Sequence, residues 1–286
     1  MNSGGFVRLH AILACHNRRD LTVRAILELA AAGDRAGVRV EVVLYDDGST
    51  DGTAHAVRSL DLPVQILSGS GAAFWARGMA RAERAVLEQA HPEDAILWLN
   101  DDVRLDEDAL ARLLKVSAER PQAVVVGAMR DPDTGEPTYG GLERRGRHPM
   151  SYGLVAPRDV PVEVDTSNGN CVLVPVQVAR AVGGIDGQFP HALADIDYGL
   201  RSRAAGHPVV LAPGTVGECP RNPPRPRSSL REEWRAFTAI KGGGHPPTMH
   251  RFLRKVTPRT WPLFMLATYI LWWVRAVRGK LTPQAV

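Results

Sequence analysis

The chain has 286 residues, 44% of them hydrophobic, and three cysteines, Cys15, Cys171 and Cys219, far apart in sequence. Such a length supplies the core of one large domain or two small ones. Lone cysteines without paired spacing argue against a zinc ribbon or a secreted disulfide framework and for a reducing, cytoplasmic setting. The charge is unevenly spread: residues 221–286 hold thirteen Lys/Arg against Glu232 and Glu233, a net of +11, while residues 1–220 are acidic at −7. The Pro/Arg run "PRNPPRPR" marks that boundary. It divides the chain into a body, 1–220, with halves 1–130 and 131–220, and a basic extension, 221–286. No basic-aromatic groove pattern enters the acidic body, so nucleic acid is not an expected partner. The N-terminus lacks a basic start followed by a long apolar core, so no signal peptide is expected.

In chain order, "VRLHAILAC" reads as a strand and "DLTVRAILELAAAG" as a helix closed by Gly33. "VRVEVVLYDD" is a second strand, "TDGTAHAVRSL" a short helix, "LPVQILS" a third strand and "AAFWARGMARAERAVLEQA" an Ala-rich helix. "DAILWLNDD" is a fourth strand, "DEDALARLLKVSAE" a helix with an acidic first turn, and "QAVVVGAM" a fifth strand. Strands alternating with helices predict an α/β fold with a mostly parallel central sheet. After residue 130 the Gly/Pro-rich run predicts an irregular or antiparallel section, followed by the strand "DTSNGNCVLVP", the helices "VQVARAVGGI" and "HALADIDYGLRSRAAG", and a last strand "HPVVLAPG".

In parallel sheets ligands bind beyond the carboxyl ends of the strands. There the sequence places His16 and Asn17, then Asp46 and Asp47, then Asn100, Asp101 and Asp102. At least four carboxylates are thus expected to gather along one edge, with no nearby Lys or Arg to neutralise them. That is costly unless a cation or a polyhydroxylated ligand sits among them. The competing reading of "YDDGSTDGT" is a solvated turn with Asp51 capping the next helix. "GSGAAFWARG" is not a dinucleotide fingerprint, because Phe74 occupies the third glycine's place and the segment follows the third strand.

The segments "CHNRRDLTVRAILEL", "YDDGSTDGT", "GSGAAFWARGMARA", "WLNDDV", "NGNCVLVP" and "GGIDGQFPHALADIDYGLRSRAAG", in this order and spacing, resemble the family 2 glycosyltransferases of the GT-A fold, rhamnosyltransferase-like members in particular. The resemblance spans roughly residues 7–220. It implies an inverting transferase that moves a hexose from a nucleoside-diphosphate sugar to a hydroxyl of a glycan or lipid-linked acceptor. It further implies that "WLNDDV" is the metal and donor element, with Asp102 at the principal metal position and Asn100 and Asp101 beside the donor. Asn100 departs from the family's acidic first position. Oxygen ligands on a loop suit Mg2+ or Mn2+, which take their remaining ligands from water and a diphosphate.

The resemblance also places Asp46 or Asp47 against the nucleoside, His16 and Asn17 at the base, and Gly71, Trp75 and Arg77 beside the nucleotide. Arg77 is the candidate for a phosphate, since a guanidinium fork matches phosphate oxygens. Trp75 reads equally as core and His16 as a plain loop histidine. Inverting transfer needs a carboxylate base, and Asp195 matches the family's, although Ala194 stands where Glu is common. Asp197 reads as an ordinary helical surface pair with Arg201. The family's histidine after the last strand is missing from "GTVGECPRN", leaving His245 as a substitute or as a solvated loop residue.

In the extension, "WPLFMLATYILWWV" is about fourteen apolar residues flanked by Arg259, Arg275, Arg278 and Lys280. That is shorter than the roughly 20 residues a single span needs. It fits an interfacial helix on anionic lipid, its Trp272/Trp273 face buried, or equally a helix packed on the body or on a second subunit as a homodimer. Two rivals to the transferase remain at this point. One is a sugar-nucleotide pyrophosphorylase, which would need a Gly-rich phosphate loop where this chain has "CHNRRD". The other is a sugar-nucleotide-binding protein without activity, which Asn100 and Ala194 keep open.

Overall fold

The computed structural model describes residues 8–221 and 229–281, so most of the Pro/Arg run lies outside the described residues. The first half alternates as its periodicity predicts: β1 Leu9–Cys15, α1 Arg19–Ala36, β2 Val40–Asp46, α2 Thr53–Arg58, β3 Val64–Ser68, α3 Phe74–Leu87 and β4 Ala95–Leu99. After the two-residue β5 Arg104–Leu105 come α4 Ala109–Glu119 and β6 Val124–Arg130. The Gly/Pro-rich section yields short strands: β7 Pro137–Tyr139, β8 Gly141–Arg144, β9 Tyr152–Leu154, β10 Val162–Val164 and β11 Thr166–Ser167. The chain continues through β12 Cys171–Pro175, α5 Val176–Val182, α6 Ala194–Ala204 and β13 Val209–Glu218 to α7 Leu230–Thr238, α8 Pro246–Val256 and α9 Trp261–Leu281.

One boundary differs from the expectation. Helix α1 runs past Gly33 and is closed by Gly37 in the left-handed conformation (φ 66°), whose N–H bonds back to Asp34. Gly33 is small for packing instead, since a Cβ there would meet Val40 Cγ2 at 2.5 Å.

The large sheet has the order β10-β13-β6-β12-β4-β1-β2-β3. β3, β2, β1 and β4 pair in parallel, β12 runs antiparallel between β4 and β6, and β13 is parallel to β6. β11, β8 and β9 form a small antiparallel sheet. Helices α1, α2 and α4 cover one face with a core built on Leu13, Leu29, Leu44 and Leu97. Helices α3, α5, α6 and α8 cover the other around Trp98, Met79, Tyr198 and Phe252.

The chain order reverses beside β1: β2 and β3 lie on one side and β4 on the other. This switch point opens a crevice at the strands' carboxyl ends, where diverging loops leave room for a ligand. The extension joins the same core, since Met249, Phe252 and Leu253 of α8 are fully buried with it. A capping box starts α7: Ser229 Oγ accepts from the Glu232 N–H while the Glu232 carboxylate accepts from the Ser229 N–H.

Helix α9 presents two faces. Phe264, Met265 and Tyr269 pack on the core, and Trp272 stacks on Phe237 of α7 with ring centroids 5.3 Å apart. The exposed face is a continuous stripe of Leu263, Leu266, Ile270, Val274 and Val277, with Trp273 at its edge. Trp272 is therefore turned inward, away from the lipid-facing role its pairing with Trp273 suggested. Of the ten exposed large hydrophobics among the described residues, seven belong to α9. Among the described residues no helix is long and apolar enough to cross a membrane.

Candidate active site

The crevice collects the residues that end β1, β2 and β4 and those that open α3 and α6. Asp47, buried at the end of β2, explains the paired aspartates. Its Oδ1 accepts the Gly71 N–H at 2.9 Å, and its Oδ2 accepts those of Ala73 and Phe74 at 2.9 and 3.0 Å. One carboxylate thus holds the loop after β3 and caps the positive end of α3. Asp46 does smaller local work, accepting the Ser49 N–H at 2.9 Å. Asp51 accepts the N–H groups of Arg19 and Thr53, so it joins the starts of α1 and α2 as its capping reading anticipated.

His16 and Asn17 border this turn. His16 Nδ1 lies 2.7 Å from the Asp47 carbonyl, and Asn17, in the left-handed region at φ 52°, accepts the Thr50 N–H at 2.7 Å. Gly71 passes close by, a Cβ on it lying 3.8 Å from His16 Cε1. His16, Asn17, Asp46, Asp47 and Gly71 therefore form one continuous wall.

The carboxylates after β4 are not left unneutralised as sequence proximity implied. Arg18 Nη1 donates to Asp101 Oδ1 at 2.8 Å and to Asp102 Oδ2 at 3.1 Å. Asp101 is 4% exposed, and its Oδ2 is buried without a partner. Burial, only partly offset by Arg18, pushes its carboxyl up to about 6. Asp102 stands at the mouth, with the Cys219 thiol 3.7 Å from its Oδ1. Burial and the neighbouring Asp102 push that thiol up to about 12, so Cys219 is a neutral donor in the place where a histidine was sought. Glu218 instead pairs with Arg130 at 3.1 Å, and His245 bonds Thr248 Oγ1 at 2.8 Å, so neither joins the aspartates.

Trp75 and Asn100 form a bridge across the crevice. The indole N–H donates to Asn100 Oδ1 at 2.8 Å, and Asn100 N–H donates to the Asn170 carbonyl at 3.0 Å. The Trp75 ring seats against Gly169, where a Cβ would approach it to 2.6 Å and Asp195 Cβ to 3.4 Å. Asp195, half-buried at the start of α6, accepts the Gly169 N–H at 3.1 Å and the Ile196 N–H at 2.9 Å. Burial raises its carboxyl above the usual range, the two N–H groups opposing. Asp195 is thus linked through Gly169 and the Trp75 ring to Asn100, and it forms no ion pair among the described residues.

One sequence expectation is corrected here. Asp197 is no surface pair: it is 2% exposed and bonded to both Arg201 Nε at 2.8 Å and Lys255 Nζ at 2.8 Å. Arg77 follows Trp75 by two residues on α3. It lines a second cavity along α3 and lies close enough to His245 for its charge to lower that imidazole's pKa, after burial. Two contributors escaped sequence reasoning. Lys241, from the extension, sits 5.9 Å over the Phe74 ring, and His191 has a buried, unpartnered Nδ1. Burial, then the charges of Lys241 and Arg18, lower the His191 pKa. His191 stands four residues before Asp195, the one local signal that pointed to it.

Among the described residues no group of three or more His, Cys, Asp or Glu side chains is set to hold a metal ion. The donor set fits a hard cation that takes one carboxylate from the protein, at Asp102, and the rest of its ligands from water and a diphosphate. The unpartnered, buried Asp101 Oδ2 is consistent with such a cation nearby.

A parallel sheet with its switch point beside two aspartates, and a third aspartate supplied by α6, is the arrangement of the GT-A glycosyltransferases. Structures with this fold include GalNAc-T7 with UDP, GalNAc and Mn2+ (TM-score 0.61, 14% identity, 91% of this chain and 50% of that one). Another is the mannosyltransferase PcManGT from Pyrobaculum calidifontis with GDP-Man and Mn2+ (TM-score 0.56, 17% identity, 92% and 69%). The chain thus spans half the length of the first of these and about two thirds of the second. It belongs to glycosyl transferase family 2, whose model matches residues 11–174. It is 28% identical over 213 residues to an N-acetylglucosaminyl-diphospho-decaprenol L-rhamnosyltransferase of Mycobacterium tuberculosis, covering 66% of this chain and 68% of that protein. The chain is a rhamnosyltransferase-like glycosyltransferase that draws on nucleotide-sugar donors.

Proposed function

We propose that the protein is a metal-dependent, inverting hexosyltransferase whose acceptor is the hydroxyl of a lipid-linked or growing glycan. The observation that carries this reading is Asp195, a carboxylate with a raised pKa and no ion pair among the described residues, linked through Gly169 and Trp75 to Asn100. A carboxylate in such surroundings is a stronger base, suited to take the acceptor hydroxyl's proton as that oxygen attacks the sugar. His16, Asn17, Asp46, Asp47 and Gly71 form the nucleoside wall, Trp75 and Asn100 fix the Gly169 turn, and Asp101 with Arg18 steadies the donor side. Asp102 would hold the Mg2+ or Mn2+, which neutralises the departing diphosphate. Residues 1–130 serve as the nucleotide half and 131–220 as the acceptor half of the transferase domain.

Asp102→Asn tests the donor side. Manganese-dependent binding of nucleotide sugar, followed by calorimetry, is expected to disappear while thermal unfolding stays close to the parent's. Unchanged donor affinity would remove Asp102 from the metal role.

The same reading places the enzyme peripherally at an anionic membrane face through α9, since its exposed apolar stripe is flanked by Arg259, Arg275 and Arg278. Each basic residue near such a surface contributes about 1 kcal/mol, and the buried stripe adds to that. The full chain is expected to sediment with anionic vesicles at low salt and to be largely released at high salt. Leu266→Glu with Ile270→Glu is expected to abolish sedimentation. If the parent ignores vesicles and the double variant instead loses an oligomer, the stripe is a subunit interface.

A further inference from the structure

A second cavity, of about 630 Å³, lies between α3 and the Gly183–Gln188 turn that joins α5 to α6. None of the aspartates of the crevice lines it. Its wall holds five cationic side chains, Arg77, Arg81, Arg84, Arg201 and Lys255, against one anionic residue, Asp186. The first three stand at i, i+4 and i+7 of α3, on one face of that helix, where like charges repel.

The internal partners do not balance this charge. Arg201 is fully engaged, donating to Asp197, to the Val182 carbonyl at 2.6 Å and to the Gly184 carbonyl at 2.8 Å. Lys255 and Arg251 already share Asp186, at 2.6 and 2.5 Å, and Arg81 donates to the Tyr45 hydroxyl. Among the described residues, the guanidinium groups of Arg77 and Arg84 make no hydrogen bond or ion pair. Two guanidinium groups without a partner among the described residues, Arg77 half-buried and Arg84 exposed, line this open, cation-rich cavity, and their planar forks suit an anion with several oxygens.

Position narrows the choice of anion. Both α3 and α6 run from the crevice to the cavity: Trp75 and Asp195 stand at the crevice, Arg77 and Arg201 in the cavity wall. Six residues separate Asp195 from Arg201, about 9 Å along the helix axis, which is of the order of one sugar unit. The donor's diphosphate belongs at Asp102, so this cavity is free for another. Lys255 of α8 also lines it, and α8 leads directly to α9 and its apolar stripe.

We propose that the cavity between α3 and the Gly183–Gln188 turn binds the diphosphate that links the acceptor sugar to its lipid, with Arg77 and Arg84 as its principal donors. The assignment rests on the lipid-linked acceptor proposed above. The acceptor then lies along one side of the molecule: its hydroxyl at Asp195, its diphosphate in the cavity, and its lipid toward α9.

The test uses the full chain and its Arg84→Glu variant, a change at an exposed helix position whose folding is checked by circular dichroism. Inorganic pyrophosphate without metal is expected to raise the Tm of the parent and not that of the variant. In the transfer reaction, the KM for a sugar on a short prenyl diphosphate is expected to rise about tenfold in the variant relative to the KM for the same sugar on an uncharged alkyl chain. Equal pyrophosphate stabilisation and equal KM ratios in parent and variant would overturn the proposal. A lost pyrophosphate response with an unchanged KM ratio would overturn the acceptor assignment and leave a site for the free anion. The pyrophosphate arm needs no turnover, so it decides the site even if the transferase reading fails, and donor hydrolysis by the parent judges that reading separately.

Discussion

Replacing Asp195 by Asn is expected to lower turnover by about 10²-fold or more while leaving donor affinity and stability nearly unchanged, the usual worth of a positioned base. The amide keeps the shape of the carboxylate and an oxygen to accept the Gly169 or Ile196 N–H, so the start of α6 has little reason to move. What is lost is the ability to take a proton, and with it the pH dependence of kcat in the acidic limb. The measurement is kcat at saturating donor and acceptor, with donor Kd and Tm taken on the same preparation. Turnover within a few-fold of the parent would exclude Asp195 as the base.

Asp197→Asn is expected to do the opposite: to cost about 3–5 kcal/mol of stability, the usual penalty for breaking a buried ion pair by removing one partner. Asp197 is 2% exposed, and its two oxygens hold Arg201 of α6 and Lys255 of α8 together. A neutral amide leaves Arg201 without its carboxylate and Lys255 with Asp186 alone. Denaturant unfolding of parent and variant measures the difference. A loss of a few tenths of a kcal/mol would instead match a solvated helical pair. Two aspartates two residues apart thus have separable readouts, one in rate and one in stability.

The line between what was and was not legible in sequence follows the distance between partners. The α/β fold and the gathering of residues 16–17, 46–47 and 100–102 at one edge follow from local periodicity and from where strands end, so both were readable. Asp195 was found through the resemblance, and its link to Asn100 depends on Gly169, a contact that sequence spacing does not encode. Arg18 sits beside a strand end in plain view, yet its bonds reach Asp101 and Asp102, more than 80 residues away. Asp197 looked like a surface pair because Arg201 is four residues on, whereas the second cation, Lys255, arrives from α8. Arg77 had the right chemistry for a phosphate, but the Gly183–Gln188 turn that shares its cavity comes more than 100 residues later. The inward turn of Trp272 required knowing that α7 packs on α9.

Because α8 is buried in the same core as the sheet, the acidic body and the basic extension are locked in one frame, and the uneven charge becomes an electric dipole fixed in the molecule. A neutral particle with such a dipole feels a torque near a charged plane. With −7 in the body and +11 in the extension, the molecule carries a net positive charge as well, so it feels both torque and attraction within about a Debye length. An anionic surface therefore favours the orientation that turns the positive end of that dipole toward it before any side chain touches it. Encounters that begin upside down are turned over and not rejected, so association with a charged surface gains in productive fraction as well as in rate, and raising the salt removes both advantages together.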